Sequence, residues 1–384
     1  MKFEFATTHR IIFGAGTIQQ APALAKTMGR RAMVVTGRNP DRAGPLTTLF
    51  RKEGVEFSIC HVAGEPTLDL IGRSTESARR DGCDWVVACG GGSAIDAGKA
   101  ISALLTNPGS LLDYVEMIGK AKPLETAAAP FLAIPTTAGT GSEVTRNAVL
   151  TSPEHRAKVS MRHPLMLPRV ALIDPELMCS LSPELTASTG LDALTQLIEP
   201  LVCTRANPLT DGFCREGLPR AARSLRRACG EPNFLPARED MALASLLGGM
   251  ALANAGLGAV HGFASPIGGM FPAPHGAVCA ALLPHAMEVN LTRLQATAGS
   301  SAGLERFAEV ARLLLGQREA TARDGVRWVA DLCRDLRIPP LREYGIGSEH
   351  VPALVEWAAT TNSMKVNPAA LTREDMAAIL QRAI

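Results

Sequence analysis

The chain has 384 residues, of which 46% are hydrophobic and 20% are charged, and its formal net charge is +2. This composition excludes a disordered, collagen-like or coiled-coil protein, and the length predicts about two to three domains. The balance of 39 basic against 37 acidic residues, with only 4% aromatic residues, argues against a nucleic-acid-binding protein. We therefore expect a globular protein that acts on a small molecule.

The cysteine content and the hydropathy pattern predict the cellular compartment of the protein. The nine cysteines are scattered and form no C-x-x-C pair, which indicates free thiols in a reducing compartment. The first ten residues lack the apolar stretch of a signal peptide, so we expect a cytoplasmic protein. The uncharged stretch 241–260 is long enough to cross a bilayer, but its four glycines favour a buried helix, and we expect no membrane contact.

The first half of the chain alternates short β-rich runs with helix-like segments, a pattern typical of a parallel sheet covered by helices on both faces. The predicted strands are 32–36, 57–60, 85–88, 131–134 and 170–173. Two further segments, 3–5 and 11–13, are predicted to pair as an edge hairpin.

After about Pro175 the strand pattern stops, and the remainder shows the periodicity of amphipathic helices. The predicted helices are 185–203, 208–229, 239–255, 303–316, 320–336, 349–360 and 372–383. We therefore predict a doubly wound, mostly parallel α/β domain over residues 1–178 and an all-α domain over residues 179–384. Pro175 and Pro183 mark the boundary.

A glycine-rich loop is the sharpest local motif. A buried strand leads into Gly90, Gly91 and Gly92, and a helix follows from Ser93. Glycines let a ligand approach the backbone closely, and the amides at a helix start carry partial positive charge, so the loop predicts a phosphate-binding site. Ser93 and Asp96 have the spacing of a capping box, which we expect to fix the helix start. A plain strand-to-helix turn is the alternative interpretation.

A second loop follows the predicted strand 131–134 and carries four hydroxyl side chains together with flexible glycines. These side chains are Thr136, Thr137, Thr140 and Ser142. Hydroxyl groups and backbone amides of this kind can contact a ribose, a diphosphate or an amide-bearing ring. Two phosphate-compatible loops in one α/β domain predict a dinucleotide cofactor.

The helical half contains residues suited to metal binding. Asp192 and Gln196 are four residues apart on a predicted helix, so their side chains project toward one point. His261 and His275 lie downstream in an apolar segment rich in glycine and proline, which suits neutral imidazole ligands. Two buried core histidines without a metal are the alternative interpretation, and spacing does not decide between the two.

Taken together, these motifs resemble the iron-containing, or group III, alcohol dehydrogenases, which include lactaldehyde reductases and are related to maleylacetate reductases. The motifs that carry the resemblance span nearly the whole chain: 12–16, 90–93 with Asp96 and Lys99, 135–143, 174–177, 190–194, 261–275 and 367–368. The resemblance implies a dehydroquinate synthase-like architecture with a dinucleotide-binding domain and a helical metal-binding domain. It also implies hydride transfer between NAD or NADP and a small alcohol or aldehyde.

The resemblance further implies a metal site and a proton relay. In the family an aspartate and three histidines hold the divalent ion, and the corresponding positions here are Asp192, Gln196, His261 and His275. Because Gln196 offers an amide instead of an imidazole, we expect iron or zinc to bind about 10- to 1,000-fold more weakly. Ser265 stands where the family has a proton-relaying histidine, and with Asp192 and His261 it makes up the predicted catalytic set.

The predicted cofactor-binding residues are Gly37, Arg38, Gly90, Gly91, Gly92, Ser93, Asp96, Thr136, Thr137, Thr140, Ser142 and Lys158. Gly37 stands where the family commonly has an aspartate that selects NAD, so the extra phosphate of NADP has room there. The guanidinium of Arg38 can pair with that phosphate, which favours NADP or the use of both nucleotides. Asn147 and Phe263 are the predicted substrate-lining residues, and the resemblance favours a homodimer or larger homo-oligomer.

Three other functions remain open from the sequence. A maleylacetate reductase would share the fold and work without a metal, although the presence of Asp192 argues against that branch. A sugar-phosphate lyase of the dehydroquinate synthase group would need a cationic phosphate pocket, yet Lys365 is the only lysine after Lys158. A non-catalytic dinucleotide-binding protein would result if Gln196 and Ser265 had abolished the reaction. Substrate-dependent consumption of NAD(P)H distinguishes the dehydrogenase from the lyase and from the non-catalytic protein.

Overall fold

The computed structural model describes residues 2–384, which divide into two compact units. The sheet unit consists of residues 6–137 and 141–180. The helical unit consists of residues 181–384 together with the short segments 2–5 and 138–140. All strands of the described chain belong to the sheet unit, and the helical unit contains α-helices and short 3-10 turns.

The sheet unit is built around a six-stranded sheet and a separate two-stranded sheet. The strands are β1 (Arg10–Phe13), β2 (Arg31–Thr36), β3 (Glu56–His61), β4 (Trp85–Gly90), β5 (Phe131–Pro135), β6 (Asn147–Ser152), β7 (Ala157–Arg162) and β8 (Val170–Ile173). The large sheet has the order β1-β8-β5-β4-β2-β3, and every pairing in it is parallel. The five predicted strands are confirmed, because strands covered on both faces are continuous apolar runs that the sequence displays directly.

Helices cover both faces of the large sheet, as expected for a doubly wound fold. The helices of this unit are α1 (Ala21–Ala25), α2 (Gly44–Lys52), α3 (Leu68–Arg80), α4 (Gly92–Thr106) and α5 (Leu111–Tyr114). Met33 and Val35 of β2 point into one apolar core, whereas Ala32 and Val34 point into the other. This alternation follows from the two-residue period of a strand, which sends successive side chains to opposite faces.

The predicted edge hairpin is wrong. β1 pairs in parallel with β8, with Ile11 beside Ala171, and residues 3–5 form no strand. The end of β1 is held by long-range bonds: the amide of Gly14 donates to the carbonyl of Ile173, and the carboxylate of Asp174 accepts from backbone amides that follow β1. Pairing with a strand so distant in the chain leaves no local sequence pattern.

The helical unit contains ten α-helices within the described residues. They are α6 (Pro183–Val202), α7 (Pro208–Gly230), α8 (Leu235–Ala255), α9 (Ala259–Met270), α10 (His275–Ala296), α11 (Ser301–Leu315), α12 (Ala322–Asp335), α13 (Val351–Thr360), α14 (Asn362–Lys365) and α15 (Arg373–Ala383). The seven predicted helices are confirmed, with ends that shift by a few residues. Three helices, α9, α10 and α14, are not predicted from the sequence. Pro266 and Pro284 lie inside α9 and α10 and obscured their helical pattern.

The apolar stretch 241–260 is a buried helix followed by a sharp turn, as expected. α8 ends at Ala255, and Gly256 follows with a φ of 108°, a conformation that favours glycine. α9 then runs at 96° to α8. Among the described residues, no helix taken singly has both the length and the apolar character to cross a membrane. The bent pair α8 and α9 reaches that threshold only when the two helices are counted together.

Candidate metal centre and nucleotide loops

α6 carries two polar side chains into the interior of the helical unit. Asp192 is 1% exposed and Gln196 is 2% exposed. Small residues allow neighbouring helices to pack closely against this part of α6: a Cβ on Gly248 of α8 would lie only 3.3 Å from the Cβ of Gln196. A carboxylate buried in this way is costly unless a positive charge or hydrogen bonds compensate it, so Asp192 requires a partner.

α9 and α10 bring two histidines to Asp192. His261 lies in the first turn of α9, and His275 is the first residue of α10. A Cβ on Gly276 would lie 2.6 Å from the carbonyl oxygen of Ser188, so glycine at this position lets the start of α10 approach α6. Oδ1 of Asp192 lies 3.4 Å from Nε2 of His261 and 3.6 Å from Nε2 of His275. The structure thus brings Asp192, His261 and His275 together, and the side chain of the fourth predicted ligand, Gln196, hydrogen-bonds to Asp192.

A fourth donor, which the sequence analysis did not identify, completes this group. Cys279 lies one turn after His275 on α10, and its Sγ is 3.7 Å from Nε2 of His275 and 3.9 Å from Nε2 of His261. Each of four residues offers one donor atom, and these four atoms all lie within 4.8 Å of one another. The residues are Asp192, His261, His275 and Cys279. We call these four residues the donor cluster. The spacing of four residues between His275 and Cys279 was the available signal in the sequence.

Glu199 fixes the orientation and the tautomer of His261. Its Oε2 accepts a hydrogen bond of 2.6 Å from Nδ1 of His261, and its Oε1 accepts one of 2.8 Å from the backbone amide of Val260. With the proton held on Nδ1, Nε2 of His261 keeps a lone pair directed at the donor cluster. Glu199 follows Asp192 by seven residues, which places both side chains on the same face of α6, but the sequence analysis did not single it out.

The electrostatics of the donor cluster favour a cation at its centre. Oδ1 of Asp192 accepts no hydrogen bond from any described residue, since its histidine neighbours lie beyond the usual range for such a bond. Burial alone would raise the pKa of Asp192, but His275 and His261 hold it below its ordinary value. Burial alone would also raise the pKa of Cys279, yet the same two histidines lower it. The cluster therefore combines a carboxylate with a thiol biased toward thiolate.

The donor cluster fits a divalent ion. A tetrahedral site with metal–nitrogen bonds of about 2.0 Å and metal–sulfur bonds of about 2.3 Å needs donors separated by about 3.3–3.6 Å. Four of the six separations between donor atoms run from 3.4 to 3.9 Å, and all six are within 4.8 Å. Together with the carboxylate oxygen that lacks a hydrogen bond, these distances show that the residues present suit a metal bound by oxygen, nitrogen and sulfur.

The other predicted residues of this region lie in different surroundings. The side chain of Gln196 hydrogen-bonds to Asp192, and since a carboxylate only accepts, the amide nitrogen is the donor. Oε1 of Gln196 is buried and has no hydrogen-bond partner among the described residues. Ser265 is exposed one turn after His261 on α9. Phe263 is fully buried, so its ring packs inside the helical unit and presents no accessible surface.

In the sheet unit, the Gly90–Gly92 loop connects β4 to α4. Gly91 is the N-cap of α4, so no side chain caps the first amides of this helix. A Cβ on Gly90 would lie 2.6 Å from the Cβ of Ala94, whereas a Cβ on Gly91 would lie 3.4 Å from the side chain of Thr137. Glycine at position 90 is thus required for packing of the strand against the helix. Glycine at position 91 keeps the backbone accessible to a ligand.

The predicted capping box of Ser93 and Asp96 is wrong. Because α4 starts at Gly92, Ser93 lies inside the helix and not at its N-cap. Asp96 instead accepts from the backbone amide of Val149 at 2.9 Å and from the hydroxyl of Ser142. Asp96 and Ser142, both predicted to bind the cofactor, therefore bond to each other and connect the second loop to α4.

A buried lysine strengthens this connection. Lys99 is 1% exposed, and its Nζ lies 3.0 Å from Oδ1 of Asp96. Nζ also donates to the carbonyl of Ser142 at 3.0 Å and to the hydroxyl of Thr145 at 2.9 Å. Glu143, 3% exposed, lies in the same loop, and burial raises its pKa to about 7. Burial likewise lowers the pKa of Lys99, although Asp96 opposes this shift.

Gly37 and Arg38 follow β2, beside the strand that ends in the glycine loop. A Cβ on Gly37 would have only the amide nitrogen of Gly91 near it, at 4.0 Å, so space is open at this position. Arg38 is exposed, and its Nε donates to the carbonyl of Ala63 at 2.9 Å. Space beside Gly37 and an exposed guanidinium next to it are the features that the prediction for NADP requires.

The remaining predicted cofactor and substrate residues have varied surroundings. Thr136 is buried, and its amide donates to the carbonyl of Gly90 at 2.9 Å. Thr140 belongs to the segment 138–140 of the helical unit. Lys158 on β7 pairs with Glu65 at 3.2 Å. Asn147 begins β6, and its role in substrate binding, like that of Lys158 in cofactor binding, stays a prediction.

Comparisons with known proteins match both halves of the chain. A family model described as iron-containing alcohol dehydrogenase matches residues 8–175, and one described as the C-terminal part of the Fe-containing alcohol dehydrogenase family matches residues 186–384. The 1,3-propanediol dehydrogenase of Klebsiella pneumoniae is 35% identical over 99% of this chain and 98% of its own length. The lactaldehyde reductase of Escherichia coli K12 is 34% identical over 95% of each chain.

Solved structures agree with these sequence matches. A crystal structure of 1,3-propanediol oxidoreductase superposes with a TM-score of 0.92 at 33% identity and covers 100% of both chains. The sulfoacetaldehyde reductase of Bifidobacterium kashiwanohense, solved in complex with NAD+, superposes with a TM-score of 0.87 at 27% identity and covers 100% of this chain and 99% of its own. The chain therefore belongs to the iron-containing alcohol dehydrogenase family of oxidoreductases.

Proposed function

We propose that this protein transfers hydride reversibly between NAD(P) and a small alcohol or aldehyde, with the assistance of a divalent ion. The observation that supports this most strongly is the convergence of Asp192, His261 and His275 in the interior of the helical unit. Relatives matched along their whole length are named as dehydrogenases of alcohols or reductases of aldehydes. This combination favours redox chemistry on a carbon–oxygen bond over a lyase reaction.

Asp192, His261 and His275 would hold the ion through one carboxylate oxygen and two imidazole nitrogens. When bound, the ion would supply Lewis acidity that polarises the substrate oxygen and lowers the pKa of an alcohol. Glu199 contributes by keeping the proton of His261 on Nδ1, so that Nε2 remains a donor. Gln196 donates to Asp192 and thereby restrains the carboxylate. We therefore assign Gln196 to positioning.

The nucleotide would bind at the glycine loop of the sheet unit. The amides at the start of α4 have no side-chain cap and carry partial positive charge, which suits the diphosphate. Gly91 lets the diphosphate approach the backbone beside Thr137. Gly37 leaves room for the extra phosphate of NADP, and Arg38 supplies the cation that would pair with it. We propose NADP or dual use on this basis.

Ser265 is the proposed proton relay. Its hydroxyl can accept a proton from the substrate alcohol and pass it to water in one concerted exchange, since a hydroxyl is both donor and acceptor. Ser265 is exposed on α9, so water can reach it. Because a serine does not titrate near neutral pH, this relay would hold no proton of its own, unlike a histidine at that position.

The test is turnover of purified protein that has been stripped of metal and then given Fe, Zn, Mn or Ni singly. Oxidation of NADPH and of NADH is followed by absorbance against a panel of aldehydes. We expect chelation to abolish turnover and one of the ions to restore it. The variant Asp192→Asn should lose turnover under all conditions, whereas the control Asp331→Asn, which changes an exposed carboxylate on α12, should keep it.

Two results would contradict the proposal. Full turnover after exhaustive chelation would remove the metal from the mechanism and favour the metal-independent branch of maleylacetate reductases. A lack of NAD(P)H consumption with every aldehyde and every ion, in protein shown to bind nucleotide, would instead favour a non-catalytic dinucleotide-binding protein.

A further inference from the structure

Cys279 differs from the other cysteines of the described chain in what surrounds it. It is the only cysteine in the group of donor side chains that could hold a metal ion within residues 2–384. Its Sγ contacts Nε2 of both His261 and His275, at 3.9 and 3.7 Å. Its Sγ therefore lies beside two candidate ligand atoms, which is not expected of a thiol that serves only packing.

The geometry of α10 explains how the thiol reaches this place. His275 and Cys279 are four residues apart, so one rigid helix presents both donors on the same face. Pairs of ligands at this spacing are a common way for a helix to bind zinc. The opposite side of the cluster is formed by Asp192 from α6 and His261 from α9, so that three helices surround the four donor atoms.

An independent observation also points to an ion. Oδ1 of Asp192 is buried, accepts no hydrogen bond from a described residue and is directed at the same two histidine nitrogens. Glu199 holds the proton of His261 on Nδ1, so a lone pair on Nε2 faces the carboxylate oxygen across 3.4 Å. Two lone pairs at that separation repel each other unless a proton or a metal cation lies between them.

Gln196 also lies beside Asp192, and its buried Oε1 has no hydrogen-bond partner among the described residues, but its chemistry makes it a weaker ligand than Cys279. Its amide nitrogen donates to Asp192, which commits the side chain to holding that carboxylate. An amide oxygen is also a neutral, hard donor and binds zinc or iron poorly compared with imidazole or thiolate. A metal held only by Asp192, His261 and His275 would therefore lack a fourth strong ligand unless Cys279 supplies it.

We propose that Cys279 is the fourth protein ligand of the metal centre and that its thiolate makes this centre prefer zinc or cobalt over iron. The proposal rests on the metal-dependent function above and adds the identity of the ligand and of the ion. Softer thiolate ligands favour Zn²⁺ over Fe²⁺, beyond the general order of affinities. Cys279 would thus compensate for the amide at position 196, and the metal affinity would not fall as the sequence alone predicts.

Cobalt substitution tests this directly, because a thiolate bound to Co²⁺ gives an intense near-ultraviolet charge-transfer absorption that oxygen and nitrogen ligands do not give. Full-length protein is stripped of metal, titrated with Co²⁺ and followed by absorbance, and the bound metal is counted by elemental analysis. The same titration is done on Cys279→Ser, on Cys279→Asn and on the control Cys229→Ser, which alters a buried thiol at the end of α7. Circular dichroism confirms folding of each variant.

We expect one equivalent of cobalt with the charge-transfer absorption in the unmodified protein and in Cys229→Ser, and loss of that absorption in both Cys279 variants. Competition between Zn²⁺ and Fe²⁺ should show the preference for zinc falling by at least about tenfold, or about 1.4 kcal/mol, when Cys279 is replaced. One equivalent of cobalt without charge transfer in the unmodified protein would overturn the proposal while leaving a metal centre and the proposed function intact. Failure to bind cobalt or zinc would overturn the proposal, and failure to bind iron, manganese and nickel as well would also overturn the proposed function.

Discussion

Nδ1 of His261 and Oε2 of Glu199 lie 2.6 Å apart in the interior of the helical unit. The contact joins α9 to α6 and fixes which nitrogen of the imidazole carries the proton. The other nitrogen of His261 is thereby left as a lone-pair donor among Asp192, His275 and Cys279. A residue outside the donor cluster thus controls the chemical state of one inside it.

The first prediction concerns Glu199→Gln. The new amide can donate to Nδ1 of His261, which would move the imidazole proton to Nε2 and remove that nitrogen as a ligand. We expect zinc affinity to fall about 10- to 100-fold, as is typical when a hydrogen-bond partner of a ligand histidine is changed. Competition against a chromophoric chelator measures the affinity. The exposed carboxylate of Glu305 on α11 provides the control Glu305→Gln, and equal affinities in the two variants would show that Glu199 does not set the tautomer.

The second prediction separates the roles of two adjacent glycines. In Gly90→Ala the new Cβ would lie 2.6 Å from the Cβ of Ala94, so we expect a loss of about 1–3 kcal/mol in the free energy of unfolding. In Gly91→Ala the new Cβ meets Thr137 at an acceptable 3.4 Å and the backbone is extended, so stability should change little. Its methyl group would instead obstruct the diphosphate and weaken nucleotide binding by about tenfold or more.

Thermal and urea unfolding, together with fluorescence titration of NADPH, measure both effects for the two glycine variants. An alanine at position 91 that destabilises the protein as much as one at position 90, without changing the nucleotide affinity, would show that this loop serves packing alone.

The third prediction concerns nucleotide choice. Gly37→Asp introduces a carboxylate at a position with open space, since a Cβ there has nothing nearer than 4.0 Å. Repulsion should raise the Kd for NADPH by at least about tenfold and leave that for NADH nearly unchanged. Arg38→Ala should act in the same direction by removing the cation. Isothermal titration with each nucleotide measures the two Kd values. If both Kd values rise equally in these variants, the extra phosphate of NADPH does not bind beside Gly37 and Arg38.

The fourth prediction follows from Glu143, whose pKa burial raises to about 7 from an ordinary 4.5. The folded state then binds this proton more tightly than the unfolded state. The resulting stabilisation is complete below the ordinary pKa and is lost as pH rises through about 7, by about 1–3 kcal/mol. Glu143→Gln mimics the neutral carboxyl, so it should remove this loss and be more stable than the unmodified protein at alkaline pH.

Urea unfolding at about pH 5 and about pH 8 measures that difference. The control is Glu53→Gln, which replaces an exposed carboxylate after α2 and should leave the pH dependence unchanged. A Glu143→Gln variant that loses stability with rising pH as steeply as the unmodified protein would show that Glu143 is not responsible. The positive charge of Lys99, which partly opposes the effect of burial on Glu143, remains in both proteins.

The sequence by itself was enough to predict the five main strands, most of the helices, the glycine loop before α4 and three side chains of the donor cluster. The strands, the helices and the glycine loop share a physical basis, because each depends on residues that are close in the chain. A buried strand is a short apolar run, an amphipathic helix repeats every three to four residues, and a helix start that binds phosphate needs glycines immediately before it. The family resemblance then supplied the correspondence between Asp192, His261 and His275.

Only the tertiary structure decided which distant groups meet. It paired β1 with β8 in place of a local hairpin. The carboxylate of Asp96 accepts hydrogen bonds from Ser142 and Val149, and it does not cap the start of its own helix. It also placed Cys279 in the donor cluster and Glu199 in hydrogen-bond contact with His261. Their spacing from His275 and from Asp192 is a weak local signal, and the close packing of α6, α9 and α10 determines their neighbours. Contacts between helices depend on shape complementarity along the whole interface, which no short stretch of sequence encodes.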